Sequence, residues 1–177
     1  TILYVTNTGN YVVGLPYQYT VIDQASNKVR EAMTYYDTLS LGSVGAGNPT
    51  KIEQWVTGST YNNSQKSYNT TYGIVTSDTD QRGKTTSYSY DSYNLYPATV
   101  SYPLSQTTQY VYDYSLGKPK QFTDKNGLVY TTVYDGLDRV LEEKIPGPVT
   151  KTTYSYTDTA NAVSTHRTDY LDGSTAA

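Results

Sequence analysis

Short segments in which bulky residues alternate with small polar ones recur along this chain. Between residues 85 and 90, Thr86, Tyr88 and Tyr90 alternate with smaller side chains. A period of two is typical of a β-strand, because successive side chains of a strand point to opposite faces of the sheet. Three further segments are predicted strands: 98–102, 120–124 and 140–144. No segment has a convincing helical period, and residues 27–34 are also predicted to be strand.

Tyrosines recur at a fixed interval. Tyr90, Tyr112 and Tyr134 are 22 residues apart, and each is followed by Asp. The same interval reaches Tyr68 on the amino-terminal side and Tyr156 on the carboxy-terminal side. The aspartates that follow three of these tyrosines are Asp91, Asp113 and Asp135. A second tyrosine column, two residues earlier, contains Tyr88, Tyr110 and Tyr154. Self-similarity of this kind predicts an array of repeated supersecondary units.

Turn residues separate the predicted strands. Residues 80–83 and 124–127 begin with Asp and end with Gly83 and Gly127, which is the chemistry that tight turns with a positive φ require. The aspartates after the tyrosines are expected to accept hydrogen bonds from turn amides in the same way. The repeat unit is therefore predicted to be a β-hairpin of about 22 residues.

The amino-terminal part of the chain follows the pattern less regularly. An irregular copy of the repeat ends at Tyr36 and Asp37, and its distance to Tyr90 is not a multiple of 22. A glycine-rich segment at about residues 40–49 is predicted to be an inserted loop. The expected organisation is an irregular region of repeats at 1–60, followed by regular repeats at 61–177.

A chain of hairpins predicts an all-β fold, an antiparallel meander that forms an extended, curved sheet. Equivalent tyrosines would lie two strands, about 10 Å, apart in one row. Cross-strand aromatic and threonine pairs contribute roughly 0.2 to 1 kcal/mol each, so stability must accumulate over neighbouring hairpins. The terminal strands of such a sheet are unpaired, and self-association through the sheet edges is expected.

Composition fits a thin, amphipathic core. The chain has 22 Tyr but only one Phe and one Trp, and 36% of its residues are hydrophobic. A tyrosine ring packs while its hydroxyl tolerates water, which suits half-buried surfaces.

The net charge is −3 and no cluster of Lys and Arg occurs, so nucleic acid is not an expected partner. No apolar run is long enough for a membrane-spanning helix. Because there is no Cys, disulfides and thiol chemistry are excluded.

Few residues are candidates for catalysis or metal binding. His166 is the only histidine, and Ser164 and Asp169 are its neighbours in sequence, but a catalytic triad depends on geometry rather than on sequence proximity. Asp78, Asp80 and Asp124 do not have the spacing of a calcium-binding loop, and turn chemistry accounts for them. No catalytic residue, cofactor or metal is predicted, and the chain is not expected to be an enzyme.

Residues 134–140 carry a resemblance to a known family. Their sequence, Tyr-Asp-Gly-Leu-Asp-Arg-Val, resembles the Tyr-Asp-x-x-Gly-Arg-hydrophobic signature of the Rhs/YD-repeat family. Tyr134, Asp135, Arg139 and Val140 match the signature, and Gly136, at one of its variable positions, is counted with the repeat residues. Asp138 stands where that family usually has Gly, and Asp tolerates the left-handed conformation better than most residues. In the preceding copy Lys118 lies one residue away from the arginine column. The resemblance extends over residues 10–172 and is strongest at 80–145.

The resemblance implies a segment of a large, spirally wound β-sheet that closes into a hollow shell. In bacterial relatives the shell encloses a toxic carboxy-terminal polypeptide, so the implied partners are other segments of the same polypeptide and an enclosed toxin or effector. The implied location is secreted or at the bacterial cell surface. The autoproteolytic core of that family has no match in this sequence. The alternative is an adhesin-like repeat that binds carbohydrate or protein through tyrosine-lined strands, and a more distant one is a β-sheet glycosidase.

Overall fold

The computed structural model describes residues 1–147, 149–159 and 162–171. The remaining residues, including the last six of the predicted repeat region, lie outside this description. The strands are β1 (Ile2–Asn7), β2 (Val12–Ile22), β3 (Lys28–Tyr36), β4 (Pro49–Thr57), β5 (Thr60–Tyr68), β6 (Val75–Thr79), β7 (Thr85–Tyr90), β8 (Pro97–Ser101), β9 (Thr107–Asp113), β10 (Lys118–Thr123), β11 (Val129–Tyr134), β12 (Val140–Lys144), β13 (Val149–Thr159) and β14 (Ala162–Leu171). Two short 3₁₀ turns span Thr8–Asn10 and Pro103–Ser105.

The strands follow one another in the sheet in the order in which they occur in the chain. The pairing is antiparallel, so the predicted all-β antiparallel meander is confirmed. Two compact units divide the chain, Thr1–Tyr88 and Ser89–Ala177, and the division falls inside β7. The boundary predicted near residue 60 concerns the regularity of the repeats and stays a prediction. In the described part of the chain no helix is long and apolar enough to cross a membrane.

The strands predicted from alternation agree with the observed ones. The segments 85–90 and 140–144 coincide with β7 and β12, and 27–34 lies almost entirely within β3. The other two predicted strands correspond to β8 and β10, with ends that differ by one or two residues. The glycine-rich segment lies mainly in the loop between β3 and β4, and its interpretation as an insertion stays a prediction. Alternation located β7 because one face of this strand is more buried than the other.

The sheet has a thin core. In β9, Thr108 is buried and Tyr110 and Tyr112 are half-buried, whereas Gln109 and Val111 on the opposite face are exposed. The hydrophobic side chains that are buried in the described residues are Tyr36, Val44 and Val100. A half-buried face suits Tyr and Thr, because each combines packing surface with a hydroxyl that can form a hydrogen bond, although the buried Thr108 Oγ1 has no such partner among the described residues. The predicted amphipathic core is thus observed.

The Asp-x-x-Gly turns follow one design. The Asp80 N–H donates to the carbonyl oxygen of Lys84 at 2.9 Å, and Asp80 Oδ1 accepts the N–H groups of Arg82 and Lys84 at 2.8 Å each. Gly83 has a φ of 73°, where a side chain would be strained. The turn that begins at Asp124 repeats this arrangement. The carboxylate therefore satisfies amides that the turn leaves without a partner in the sheet.

The turns reveal a half-period that the tyrosine spacing did not show. Each residue that opens a turn from β5 to β12 lies eleven residues after the previous one. These residues are Asn69, Asp80, Asp91, Tyr102, Asp113, Asp124 and Asp135. One strand and one turn together occupy eleven residues, so two of them make the hairpin of 22. The tyrosine spacing did not reveal the half-period, because only every second strand ends in the tyrosine that marks the repeat.

Replacing Gly117 by alanine should destabilise the second unit. Gly117 has a φ of 68°, and an added Cβ would lie 2.9 Å from the hydroxyl of Tyr96, whose ring is held against Tyr112. A left-handed alanine costs roughly 1–2 kcal/mol before any clash is counted. We expect a free energy of unfolding, measured with urea, that falls by at least this amount.

The matched control for this substitution is Gly136→Ala. An added Cβ at Gly136 meets no atom within 4 Å, and its φ is outside the left-handed region. Its stability should stay within about 0.5 kcal/mol of the wild type. Equal destabilisation by the two substitutions would contradict the argument.

Candidate functional site

The repeat tyrosines occupy equivalent places in the sheet. Tyr112 and Tyr134 lie at the carboxyl ends of β9 and β11, and each is paired across the sheet with the first residues of the next strand. Tyr112 pairs with Pro119 and Tyr134 pairs with Val140, with a shift in register beside each pair. A proline is tolerated at such a bulge because it has no N–H to contribute to the ladder. The tyrosine column is therefore a row along the sheet, as its spacing predicted.

The hydroxyl of each of several repeat tyrosines donates a hydrogen bond to a backbone carbonyl of the preceding strand. The pairs are Tyr36 with Pro16 at 2.8 Å, Tyr68 with Pro49 at 3.2 Å, Tyr134 with Pro119 at 3.3 Å and Tyr156 with Val140 at 2.7 Å. The acceptor is also the residue that pairs with the previous repeat tyrosine; Pro119, for example, pairs with Tyr112 and accepts from Tyr134. In the row, one residue thus pairs with a repeat tyrosine on the preceding strand and accepts the hydroxyl of the next repeat tyrosine, which links the two tyrosines.

The aspartates that follow the tyrosines open turns. Asp135 Oδ1 accepts the N–H groups of Leu137 at 2.8 Å and of Arg139 at 2.9 Å. Asp91 accepts the amides of Tyr93 and Leu95, and Asp113 accepts the amide and hydroxyl of Ser115. The Arg139 N–H lowers the pKa of Asp135, and the Arg139 guanidinium lowers it further, so this carboxylate stays ionised at neutral pH. Gly136 is an exposed residue of the same turn.

Arg139 joins two consecutive repeats. Its Nε lies 2.7 Å from Asp135 Oδ2 in its own turn, and its Nη1 forms an ion pair with Asp158 in β13. Its guanidinium lies 4.3 Å from the ring centroid of Tyr156, in the geometry of a cation–π contact. The signature arginine therefore covers the ring of the next repeat tyrosine while it pairs with the turn aspartate.

Lys118 occupies the same structural position as Arg139, which corrects the interpretation that it is one residue out of place. Both residues directly precede the residue that pairs with the repeat tyrosine. Lys118 Nζ lies 5.2 Å from the ring centroid of Tyr134 and 2.8 Å from Asp138 Oδ2. The turn before Lys118 is one residue longer than the turn before Arg139, and this extra residue shifts the sequence count but not the strand pairing.

The second tyrosine column contributes aromatic contacts to the same face. Tyr110 lies 5.1 Å from Phe122 and 6.2 Å from Tyr112, measured between ring centroids. The Tyr154 hydroxyl donates to Glu143 Oε2 at 2.8 Å. Tyr88 lies on the half-buried face of β7. These side chains pack against neighbouring strands, so the column that the sequence singled out lies within the sheet face rather than around a catalytic cleft.

The Tyr36-Asp37 copy organises the inserted loop. The Asp37 N–H donates to the carbonyl oxygen of Asn48 at 2.8 Å and so closes the loop between β3 and β4. Asp37 Oδ2 accepts the N–H groups of Gly45 and Gly47 at 2.8 Å each, and Oδ1 accepts that of Asn48 at 3.0 Å. Burial opposes the charged form, but these amides outweigh it and lower the pKa of Asp37.

A buried carboxylate in the first unit was not found from the sequence. Glu31 is 8% exposed and accepts hydrogen bonds from Gln18 at 3.0 Å, Thr20 at 3.1 Å, Lys28 at 2.9 Å and Tyr61 at 2.5 Å. The Tyr61 hydroxyl, followed by the Lys28 ammonium, lowers the pKa of Glu31 to about 2. The partners come from β2, β3 and β5, and no motif in the sequence relates them.

The candidate catalytic and metal-binding residues do not converge. Asp169 accepts hydrogen bonds from Thr152 at 2.7 Å and from Arg167 at 3.0 Å, whereas His166 is exposed and pairs with Ser155. Within the described residues no group of three or more His, Asp or Glu side chains could hold a metal ion. Asp78 forms an ion pair with Lys66, while Asp80 and Asp124 serve their turns.

No protein-family model and no curated protein matches this sequence. The solved structures that contain similar folds include two of toxin complexes. A chain in the crystal structure of TcdB2-TccC3-Cdc42 aligns with 95% of this chain at a TM-score of 0.52 and 14% identity, over 11% of its own length. A chain in a structure of the Photorhabdus luminescens Tc holotoxin pore aligns with 89% of this chain at a TM-score of 0.51 and 13% identity, over 10% of its own length.

These similarities concern the fold. The chain has the fold of a segment of those toxin-complex proteins and spans about a tenth of their length. The meander of hairpins that the Rhs/YD resemblance implied is therefore an architecture that solved toxin-complex chains also contain.

Removing the hydroxyl of one row tyrosine should weaken the sheet. In Tyr156→Phe the ring and its contact with Arg139 remain, but the 2.7 Å bond to the Val140 carbonyl is lost. We expect the free energy of unfolding to fall by about 1 kcal/mol, the usual net contribution of such a bond. Tyr93→Phe is the control, because Tyr93 is 66% exposed and contacts Tyr114 through its ring. The same loss in both variants would contradict a special role for the row.

The low pKa of Glu31 predicts an acid-sensitive contribution to stability. Because the pKa of Glu31 in the folded chain, about 2, lies below the ordinary glutamate value of 4.5, the contribution is fully present above about pH 4.5 and is lost as the pH falls towards 2. We expect wild type to be more stable than Glu31→Gln at pH 7 and this difference to shrink below pH 4.5, measured by urea unfolding at each pH. A difference that stays constant down to pH 2 would refute the assignment.

Proposed function

We propose that this chain is a non-catalytic wall segment of a larger Rhs/YD-like protein whose β-shell encloses a polypeptide. The observation that carries the proposal is the tyrosine row, in which hydroxyl-to-carbonyl bonds join hairpin after hairpin. A row is the expected device of a scaffold, whereas a binding or catalytic site needs a local cluster. The fold shared with toxin-complex chains supports the same conclusion.

The thin core gives the proposal a physical basis. Few hydrophobic side chains in the described residues are fully buried, and the larger rings stay half-exposed on one face. Stability in such a sheet depends on contacts between neighbouring strands, as in other repeat proteins. A sheet of this kind gains from continuing into further strands, which a longer polypeptide of the same design would supply.

The proposed partners and location follow from the same family likeness. The wall would contact other segments of its own polypeptide and an enclosed toxin or effector. The proposed setting is a bacterial protein that is secreted or displayed at the cell surface. The half-buried tyrosine face offers rings and hydroxyls to an enclosed chain without a preformed pocket for one sequence.

The test uses the complete polypeptide that contains this segment. We expect limited proteolysis to leave an enclosed region of that polypeptide intact and cryo-electron microscopy to show a closed wall around it. The double variant Tyr134→Phe/Tyr156→Phe should increase cleavage of the enclosed region, because it removes two bonds of the row. Tyr93→Phe should leave the cleavage unchanged. A polypeptide in which no region is protected would refute the proposal.

A second candidate function is adhesion through exposed tyrosines. Tyr93 and Tyr114 are 66% and 49% exposed, and their rings meet edge to face at 5.2 Å, which forms an aromatic surface that a sugar ring could stack on. A glycan array tests this function with the double variant Tyr93→Ala/Tyr114→Ala as control. Binding that the double variant loses would favour adhesion, and an array without any binder would exclude carbohydrate recognition.

The isolated chain should associate through β1. This strand is hydrogen-bonded to β2 on one side and has no partner strand on its other side among the described residues, and its Ile2, Leu3 and Tyr4 side chains are exposed. Exposed edges with apolar residues pair readily, and a lysine on the edge opposes pairing. We expect a sedimentation coefficient that rises with concentration in wild type and not in Leu3→Lys.

The control for the edge variant is Gln109→Lys in β9. Gln109 is exposed and is paired with Thr99 of β8 on one side and with Thr123 of β10 on the other, so the added charge should leave association unchanged. A wild-type chain that stays monomeric at high concentration would contradict the prediction.

A further inference from the structure

One side-chain position recurs at the turns that follow the repeat tyrosines. We call it the cover position, and it is the residue that closes the turn by pairing with, or by accepting the backbone N–H of, the aspartate that follows a repeat tyrosine. At three such turns its side chain lies over the ring of the next repeat tyrosine. The contacts are Tyr96 on Tyr112 at 4.5 Å, Lys118 on Tyr134 at 5.2 Å and Arg139 on Tyr156 at 4.3 Å. The side chain at the cover position is planar in Tyr96, cationic in Lys118, and both planar and cationic in Arg139.

Asn48 holds the cover position before Tyr68. It directly precedes Pro49, which pairs with Tyr36 and accepts the hydroxyl of Tyr68. The loop closes between Asp37 and Asn48 through the same backbone bond that joins Asp135 to Arg139. The two turns are therefore equivalent, although the first contains a long insertion. An asparagine side chain is much shorter than arginine, lysine or tyrosine.

A cavity of about 360 Å³ opens at this position in the first unit. Tyr68, Asp37 and Asn48 line it, together with Ala46, Lys66 and residues that carry a hydroxyl group. The hydroxyl-bearing residues are Thr38, Thr50, Ser67 and Thr70. The cavity therefore offers a tyrosine face, a carboxylate and several hydrogen-bond acceptors at the place where a longer side chain of this protein lies in the other repeats.

The charges at the cavity favour a cation. Asp37 is an ionised carboxylate held in place by three backbone amides. The other charged residue of the lining is Lys66, and its ammonium is neutralised by an ion pair with Asp78. Asp37, Lys66 and Asp78 together therefore carry a net charge of −1. At the equivalent turn, Asp135 and Tyr156 together hold the guanidinium of Arg139.

We propose that this cavity binds an arginine side chain of another polypeptide segment, which stacks on Tyr68 beside Asp37 in the manner of Arg139 on Tyr156. A guanidinium is both planar, like the ring of Tyr96, and cationic, like Lys118. Its five N–H donors suit a site lined by hydroxyls and a carboxylate. The inference holds whether or not the chain is part of a shell.

The experiment compares two ligands that differ in charge. N-acetyl-L-arginine amide and N-acetyl-L-citrulline amide have nearly the same shape, but only the first is a cation. We expect the arginine amide to shift the NMR resonances of Tyr68, Thr50 and Ser67 in the isotope-labelled 177-residue chain, and the citrulline amide to bind at least tenfold more weakly. Equal binding of the two compounds, or shifts confined to other residues, would overturn the proposal.

The second experiment uses the variant Asn48→Arg, which places an arginine side chain of the protein itself in the cavity. In Asn48→Arg the new guanidinium should cover Tyr68 as Arg139 covers Tyr156, and binding of the arginine amide should be lost. Asn126→Arg is the matched control, because it makes the same change at an exposed turn residue and should bind as wild type does. Undiminished binding by a folded Asn48→Arg chain would refute the site. If that variant does not fold, the comparison of arginine with citrulline on wild type decides alone.

Methyl glycosides serve as the competing class of ligand. Because a tyrosine face with hydroxyl groups also suits a sugar, methyl α-mannoside and methyl β-galactoside are titrated in the same way. The proposal predicts no shift at Tyr68 with either glycoside. A glycoside that binds there more tightly than the arginine amide would replace the proposed ligand and overturn the inference.

Discussion

The bond from a repeat-tyrosine hydroxyl to the carbonyl one strand back is the interaction on which the sheet depends. It requires a side chain that packs on a half-buried face and still reaches a backbone acceptor, and among aromatic residues tyrosine meets both needs. This requirement explains why tyrosine rather than phenylalanine stands at positions 36, 68, 134 and 156. It also explains the prolines at strand starts, since Pro49 and Pro119 use their carbonyls for these bonds and need no N–H at a bulge.

Much of the fold could be predicted from the sequence because strands such as β7 and β9 have one face that is more buried than the other. Alternation around Tyr88 and Tyr90 located β7, and the spacing of Tyr112 and Tyr134 established that hairpins repeat. The eleven-residue half-period was not visible, because the residues that open the turns differ in type. Tyr102 takes the place that Asp holds at neighbouring turns, and only backbone hydrogen bonds reveal the equivalence.

The contacts between repeats could not be predicted in the same way. Lys118 and Arg139 are 21 residues apart, so a search with a period of 22 separates them, although both lie over the next tyrosine ring. The Glu31 network joins three strands through unlike side chains, and no spacing rule relates its members. Side-chain partners across strands depend on turn length and bulges, which alternation along one strand does not encode.

The loop between Asp37 and Asn48 shows where this architecture can accept new sequence. Its ends are joined by the same backbone bond that closes a short turn, so the strands on either side keep their register across the insertion. Loop-closure entropy rises only slowly with length, which makes such extensions thermodynamically tolerable. The inserted residues also contact the scaffold, because Val44 is buried and its carbonyl accepts the side-chain amide of Asn7. A peptide grafted into this loop would therefore leave the sheet undisturbed only if it keeps the buried Val44 and the amides that Asp37 accepts.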